Sequence, residues 1–156
     1  MIKIALMGAG RIGKMHADLI FSNPDCKVEY IYDVNNQFAE EVSRKTGAQI
    51  ASTPEEAITN TNTDAVFIAS ATPTHIEFIT MAVDSNKPVF CEKPIDLDIS
   101  KVDQCRNTIK DKNVPIQIGF NRRFDKSHAK VKSACENNDI GKLEMLIITS
   151  RDPAPP

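Results

Sequence analysis

Apolar residues fall along this chain in short dense runs, separated by longer stretches where they recur at helical spacing. Residues 2–7, Ile-Lys-Ile-Ala-Leu-Met, form the first run and predict a strand. Residues 12–21 then predict a helix with Ile12, Met15, Leu19 and Ile20 on one face. A second strand follows over 28–32 and a second helix over 37–45, ended by Gly47. Residues 49–51 allow a short third strand. Thr53 has the character of an N-cap, with Pro54 at the first helical position and Glu56 three residues past the cap. Residues 65–69, Ala-Val-Phe-Ile-Ala, are apolar throughout, as expected of a strand buried on both faces. Further along come a helix over 76–86, a strand over 89–91, a helix capped by Ser100 and running to Lys110, and a strand over 115–120. A lysine-bearing helix over 124–137 and a strand over 143–149 complete the pattern. Strands and helices alternating at this spacing predict an α/β fold, a doubly wound parallel sheet of the Rossmann type. No internal repeat or low-complexity segment interrupts it.

The strand expected over 143–149 is strongly apolar and has little sequence after it to supply partners. One reading makes it an edge strand of the main sheet. We favour another, in which a second, truncated α/β domain begins here. The division expected is a nucleotide-binding domain over 1–122, then a connecting helix and first strand over 123–156.

A glycine turn sets the chemistry. Gly8-Ala9-Gly10-Arg11-Ile12-Gly13 follows the first strand and opens the first helix, and Asp33 ends the second strand twenty positions after Gly13. Glycine triplets alone occur in many loops, and a turn closing an ordinary βαβ unit is the plain alternative. Strand, turn, helix, strand and acid in this order match the requirements of a bound dinucleotide. Gly8 permits the tight turn, Gly10 lets a pyrophosphate approach the backbone, and Gly13 lets the helix pack close to the sheet. The helix start offers unpaired N–H groups and the positive end of its dipole to the phosphates. The expected cofactor contacts here are Gly8, Gly10, Arg11, Ile12, Gly13 and Asp33. The carboxylate of Asp33 would accept hydrogen bonds from the adenosine ribose and repel a 2′-phosphate. Val34, Asn35 and Asn36 bring no cation to offset that repulsion, which favours NAD over NADP unless Arg11 or Arg44 approaches.

Composition narrows the field. The chain has 156 residues, 26% charged and 41% hydrophobic, with a formal net charge of −2. It carries no electrostatic footprint for nucleic acid or an anionic membrane. No apolar run approaches the roughly 20 residues of a spanning helix, and the amino terminus enters a strand without a signal-peptide pattern. Cys26, Cys91, Cys105 and Cys135 are widely spaced, which fits reduced thiols in a cytoplasmic protein better than a zinc site or a disulfide framework. No metal is expected.

Three later segments carry a resemblance. Ala71-Thr72-Pro73-Thr74-His75, Glu92-Lys93-Pro94 and Gly119-Phe120-Asn121-Arg122-Arg123-Phe124-Asp125, in register with the glycine turn, resemble the glucose-fructose oxidoreductase/inositol 2-dehydrogenase (Gfo/Idh/MocA) family. The closing Ser150-Arg151-Asp152-Pro153-Ala154-Pro155-Pro156 is most similar to its inositol 2-dehydrogenase members. The resemblance implies an NAD-dependent oxidoreductase acting on a cyclic polyol or sugar, covered here over about half its length and assembling as a homo-oligomer when full length. It implies that Lys93 lies by the nicotinamide and contacts the hydroxyl to be oxidised, where a cation lowers the cost of a developing alkoxide. Glu92 would orient or neutralise Lys93. Ala71, Thr72, Pro73 and His75 would stand beside the cofactor, and Asn121 and Arg122 near the nicotinamide or substrate. The aspartate and histidine that complete the family's proton relay have no counterpart in these residues. His16 is expected to pack or hydrogen-bond on its helix, and His128 to lie at the surface. The alternatives are a stand-alone NAD-sensing module without chemistry and a family member acting on another sugar.

Overall fold

The computed structural model describes residues 1–151; residues 152–156, the end of the segment most similar to inositol 2-dehydrogenases, lie outside it. The chain divides into two compact units, Met1–Gly119 and a second that begins at Phe120. The division therefore falls at Gly119, just ahead of the boundary expected at Arg122.

The first unit is built on a six-stranded parallel sheet of order β3-β2-β1-β4-β5-β6. Its strands are β1 (Ile2–Met7), β2 (Cys26–Tyr32), β3 (Gln49–Ile50), β4 (Ala65–Ile68), β5 (Val89–Cys91) and β6 (Ile116–Ile118). The helices between them are α1 (Arg11–Phe21), α2 (Asn36–Thr46), α3 (Pro54–Ile58), α4 (His75–Asp84) and α5 (Ile99–Ile109). Strand order reverses beside β1, so the carboxyl ends of β1 and β4 diverge into a crevice. That is the place where open sheets of this kind take ligands.

Local signals explain most boundaries. Thr53 Oγ1 accepts from the Glu56 N–H at 3.2 Å, and Glu56 Oε2 accepts from the Ser52 N–H at 2.7 Å, closing the expected cap of α3. Gly47 ends α2 in the left-handed region at φ 76°. One expected cap moves. Asp98, not Ser100, caps α5, accepting from the Ser100 N–H at 2.9 Å and its hydroxyl at 2.7 Å. A carboxylate two residues upstream reaches the free N–H groups, whereas Ser100 already lies inside the helix.

Two apolar layers flank the sheet. On one side Ala5, Met7, Val66, Ile68 and Cys91 pack beneath α3, α4 and α5. On the other, Ile4, Leu6 and Val28 pack beneath α1 and α2. The face of α1 that meets the sheet is not the one expected: Gly13, Ala17 and Ile20 are buried, while Met15 and Leu19 are 47% and 61% exposed. Close approach of helix to strand selects the small residues, and the larger ones turn to the rim. The burial of β4 on both faces also holds only in part. Val66 and Ile68 are buried but Phe67 is only half-buried, at the margin of the layer under α1 and α2. A hollow of about 630 Å³ lined by Ile4, Phe67, Phe90 and Ile116 lies on the same face.

The second unit contains a 3₁₀ turn, Asn121–Phe124, and α6 (Lys126–Glu136). Asp125 caps α6 by accepting from the N–H groups of Ser127 and His128. Hydrogen bonds from His128, ring and backbone together, hold the Asp125 carboxyl down to about 2. Residues 143–149 do not form the expected strand: they belong to no sheet. Their apolar composition gives β-propensity, but without a partner strand the backbone groups have no ladder to join.

Candidate functional site

The crevice between β1 and β4 is a cleft of about 430 Å³, bordered by Gly8, Gly10, Arg11, Ile12, Asp33 and Ala71 among others. Each glycine of the turn has a different reason. Gly8 sits at φ 102°, and a Cβ there would come within 2.6 Å of the Ser70 backbone. A Cβ on Gly13 would overlap the Gly8 carbonyl oxygen. Both are demanded by the protein's own packing. Gly10 is not: its backbone is ordinary extended chain (φ −67°, ψ −171°), and a Cβ there would meet nothing within 4 Å. The space it leaves opens onto the cleft.

Helix α1 begins at this point without a side-chain cap and without an acid in its first turn. The helices α2, α3, α5 and α6 each have a capping side chain, from Asn35, Thr53, Asp98 and Asp125 respectively. The start of α1 therefore keeps N–H groups and a positive dipole end directed at the cleft. Asp33 borders the same space. Its Oδ2 accepts from the Ala9 N–H at 2.6 Å and its Oδ1 from the Asn35 N–H at 2.8 Å. The carboxylate thus fixes the glycine turn to the end of β2, and each oxygen keeps a further lone pair for a hydroxyl.

The loop after β4 lines the opposite wall through Ala69, Ser70, Ala71 and Thr74. Thr72 and Pro73 do not border the cleft; in the 3₁₀ turn Thr72–Thr74 they face a groove shared with Asp96 and Lys101. His75 stands behind the wall rather than in it. Its ring is buried between the loop after β4 and the loop after β5, with Nδ1 2.8 Å from the Pro94 carbonyl oxygen and Nε2 3.0 Å from that of Ser70.

That second loop carries Glu92, Lys93 and Pro94, with a cis peptide before the proline. Lys93 is exposed, and its ammonium has no hydrogen-bond or ion-pair partner among the described residues. Glu92, expected to orient or neutralise Lys93, makes no ion pair with the lysine ammonium. Glu92 Oε1 instead faces His16 Nε2 at 2.8 Å, and Oε2 accepts the Lys93 backbone N–H at 3.2 Å. His16 on α1 is half-buried and packs against Phe67 at 4.5 Å between ring centroids. The carboxylate is nearer to that ring and to the backbone than to the lysine head.

Asn121 and Arg122 lie in the 3₁₀ turn that opens the second unit. His128 is exposed, with Nδ1 2.9 Å from Asp125 Oδ1. Tyr32, Val34, Asn35, Phe38 and Phe78 also line the cleft, and none was among the expected cofactor contacts. Position after β2 could have flagged Val34, Asn35 and Phe38, since they follow the acid directly. Phe78, on α4, has no sequence signal apart from its helical register. Among the described residues no three His, Cys, Asp or Glu side chains gather as a metal site, and no helix is long and apolar enough to cross a membrane.

A glycine turn at an uncapped helix start, an acid after β2 and a cleft at the point of strand reversal define a dinucleotide-binding Rossmann domain. Residues 2–120 match the model of an oxidoreductase family with an NAD-binding Rossmann fold, and the chain belongs to that family, Gfo/Idh/MocA. It is 42% identical to the myo-inositol 2-dehydrogenase of Thermotoga maritima over 156 residues, 99% of this chain and 47% of that protein. The crystal structure of a myo-inositol dehydrogenase from Corynebacterium glutamicum superposes with a TM-score of 0.84 at 42% identity, covering 92% of this chain and 43% of that one. The scyllo-inositol dehydrogenase of Lactobacillus casei, solved with bound NAD(H) and scyllo-inositol, gives a TM-score of 0.85 at 32% identity over 90% of this chain and 42% of that one. The chain thus spans about half the length of the relatives it matches.

Proposed function

We propose that this chain is the cofactor-binding half of an NAD-dependent dehydrogenase that oxidises a ring hydroxyl of a cyclic polyol, an inositol or a close analogue. The observation that carries the reading is Gly10, whose missing Cβ serves nothing in the fold and leaves open space where a pyrophosphate would meet the uncapped start of α1. Gly8, Gly10, Arg11, Ile12 and Gly13 would hold the pyrophosphate by backbone contact and shape. Asp33 would take the ribose hydroxyls and favour NAD over its phosphorylated form. Ser70, Ala71 and Thr74 would form the facing wall, with Thr72, Pro73 and His75 holding that wall in place.

NAD, when bound, supplies the acceptor for hydride from the carbinol carbon. This chain's share is to position and to stabilise charge. Lys93, just after β5 and with its ammonium unpaired among the described residues, would stabilise the alkoxide as the hydroxyl proton leaves. Asn121 and Arg122 would complete the nicotinamide or substrate side. The similarity to inositol dehydrogenases supports the substrate class, and the span of half a relative supports a relay completed by residues outside these 156. On its own the chain would bind NAD and turn over little, because groups that must stand within ångströms of the substrate would be missing.

Calorimetric titration of the folded chain with NAD tests the binding half of this reading, and absence of binding would overturn it. In a form extended past Pro156, Lys93→Ala should lower kcat on myo-inositol by about a hundredfold or more while changing NAD affinity less than about twofold. Equal loss of both would make Lys93 a binding residue only.

A further inference from the structure

Two elements that the sequence keeps 76 residues apart meet at one side-chain contact, His16 with Glu92. A carboxylate only accepts, so the 2.8 Å contact makes His16 Nε2 the donor and Glu92 Oε1 the acceptor. The other oxygen, Oε2, accepts the N–H of Lys93. One carboxylate thus spans a helix that starts at the glycine turn and the backbone of the residue proposed to act on substrate. Its surroundings hold it in place. The His16 ring rests against Phe67, which stacks on Phe90 at 4.3 Å between centroids. Behind the carboxyl lies Gly119, where a Cβ would come within 3.2 Å of Glu92 and 3.1 Å of Phe90. The Gly119 N–H donates to the Cys91 carbonyl at 2.8 Å, which fixes the end of β6 against the end of β5.

We propose that His16 is a positioning residue for Lys93, acting through Glu92 to hold the Glu92-Lys93-Pro94 turn in register with the helix that opens on the dinucleotide cleft. The proposal rests on the catalytic reading of Lys93 for its functional meaning, but its geometry is independent of any ligand. Without the His16 donor, Glu92 would lose one anchor and swing toward solvent, and the Lys93 N–H would lose its acceptor. His16 touches neither cofactor nor substrate in this scheme.

Nuclear magnetic resonance on the 156-residue chain without cofactor tests it. In the wild type, imidazole nitrogen shifts should show the proton of neutral His16 on Nε2; a proton on Nδ1 would overturn the donor assignment. His16→Phe keeps a ring on Phe67 but removes the donor, and amide exchange at Lys93 should accelerate about tenfold, the loss expected of one hydrogen bond to a charged acceptor. His16→Gln, which restores an N–H donor, should return exchange toward the wild-type rate. A role in packing alone predicts the reverse order, with phenylalanine tolerated and glutamine not, and would overturn the proposal. Should His16→Phe fail to fold, Gly119→Ala supplies the second route, since crowding the carboxyl should also speed Lys93 exchange; an unchanged rate there counts against it. NAD titration of the same wild-type sample separates the two claims, because loss of binding would overturn the cofactor reading and leave the Lys93 measurements standing.

Discussion

The glycine cleft and the lysine turn lie at adjacent strand ends of one sheet, and they differ in completeness. At the cleft, the first unit supplies everything the geometry calls for: the turn, an open helix start, an acid already locked to the turn, and a facing wall from the loop after β4. At the lysine turn, the Lys93 N–H is held by Glu92, whose carboxylate also meets His16, and the Pro94 carbonyl faces His75, yet the Lys93 ammonium has no partner among the described residues. Under the proposed function, the cofactor side would be complete within one sheet, whereas Lys93 would still need groups from another element.

That contrast can be broken by substitution. The largest effect should come from Gly13→Ala, which drives a methyl into the Gly8 carbonyl and should cost about 3 kcal/mol of folding stability by urea titration. Asp33→Ala should follow, at about 2 kcal/mol, because it removes a charge-assisted bond to Ala9; under the proposed function it would also remove the ribose contact. NAD affinity should fall more than NADP affinity in calorimetry, and an unchanged ratio would remove the ribose role. Gly10→Ala should leave stability within about 1 kcal/mol but weaken NAD about tenfold, which separates ligand-facing from fold-facing glycines.

The smallest effect concerns Cys91, beneath the lysine turn. Burial, aided by the negative charge of Glu92, pushes its thiol up from 9.0 to about 12. A folded value above the unfolded one means that the stabilisation is whole below about pH 9 and is lost progressively as pH rises toward 12. The urea midpoint should therefore decline between pH 9 and 11 in the wild type and decline less in Cys91→Ala. Alkylation at pH 8 should reach Cys26 and Cys135 well before Cys91 and Cys105, the buried pair.

Sequence pattern was a good guide wherever a local rule governed the outcome. The order of strands and helices, the Thr53 cap and the Gly47 stop all follow from neighbours within a turn or two. It failed where the decision was tertiary. Met15 and Leu19 have helical spacing with Ile12 and Ile20, but close packing on the sheet prefers Gly13 and Ala17. Residues 143–149 have strand composition, yet a strand exists only with a partner. At the site, Gly8 and Gly13 were legible because each is a backbone requirement, and Gly10 and Asp33 because their spacing sets them on the same cleft. The partners of Glu92 and His75 were not, since nothing in the sequence links position 16 to 92, or 75 to 94.

The Gly8 carbonyl pressed under the α-carbon of Gly13 has a kinetic corollary. A loop wedged this firmly has its shape before any guest arrives, so little disorder remains to be quenched on docking. Stopped-flow mixing with the dinucleotide should accordingly give one concentration-dependent phase, without the slower isomerisation that a floppy phosphate loop would add.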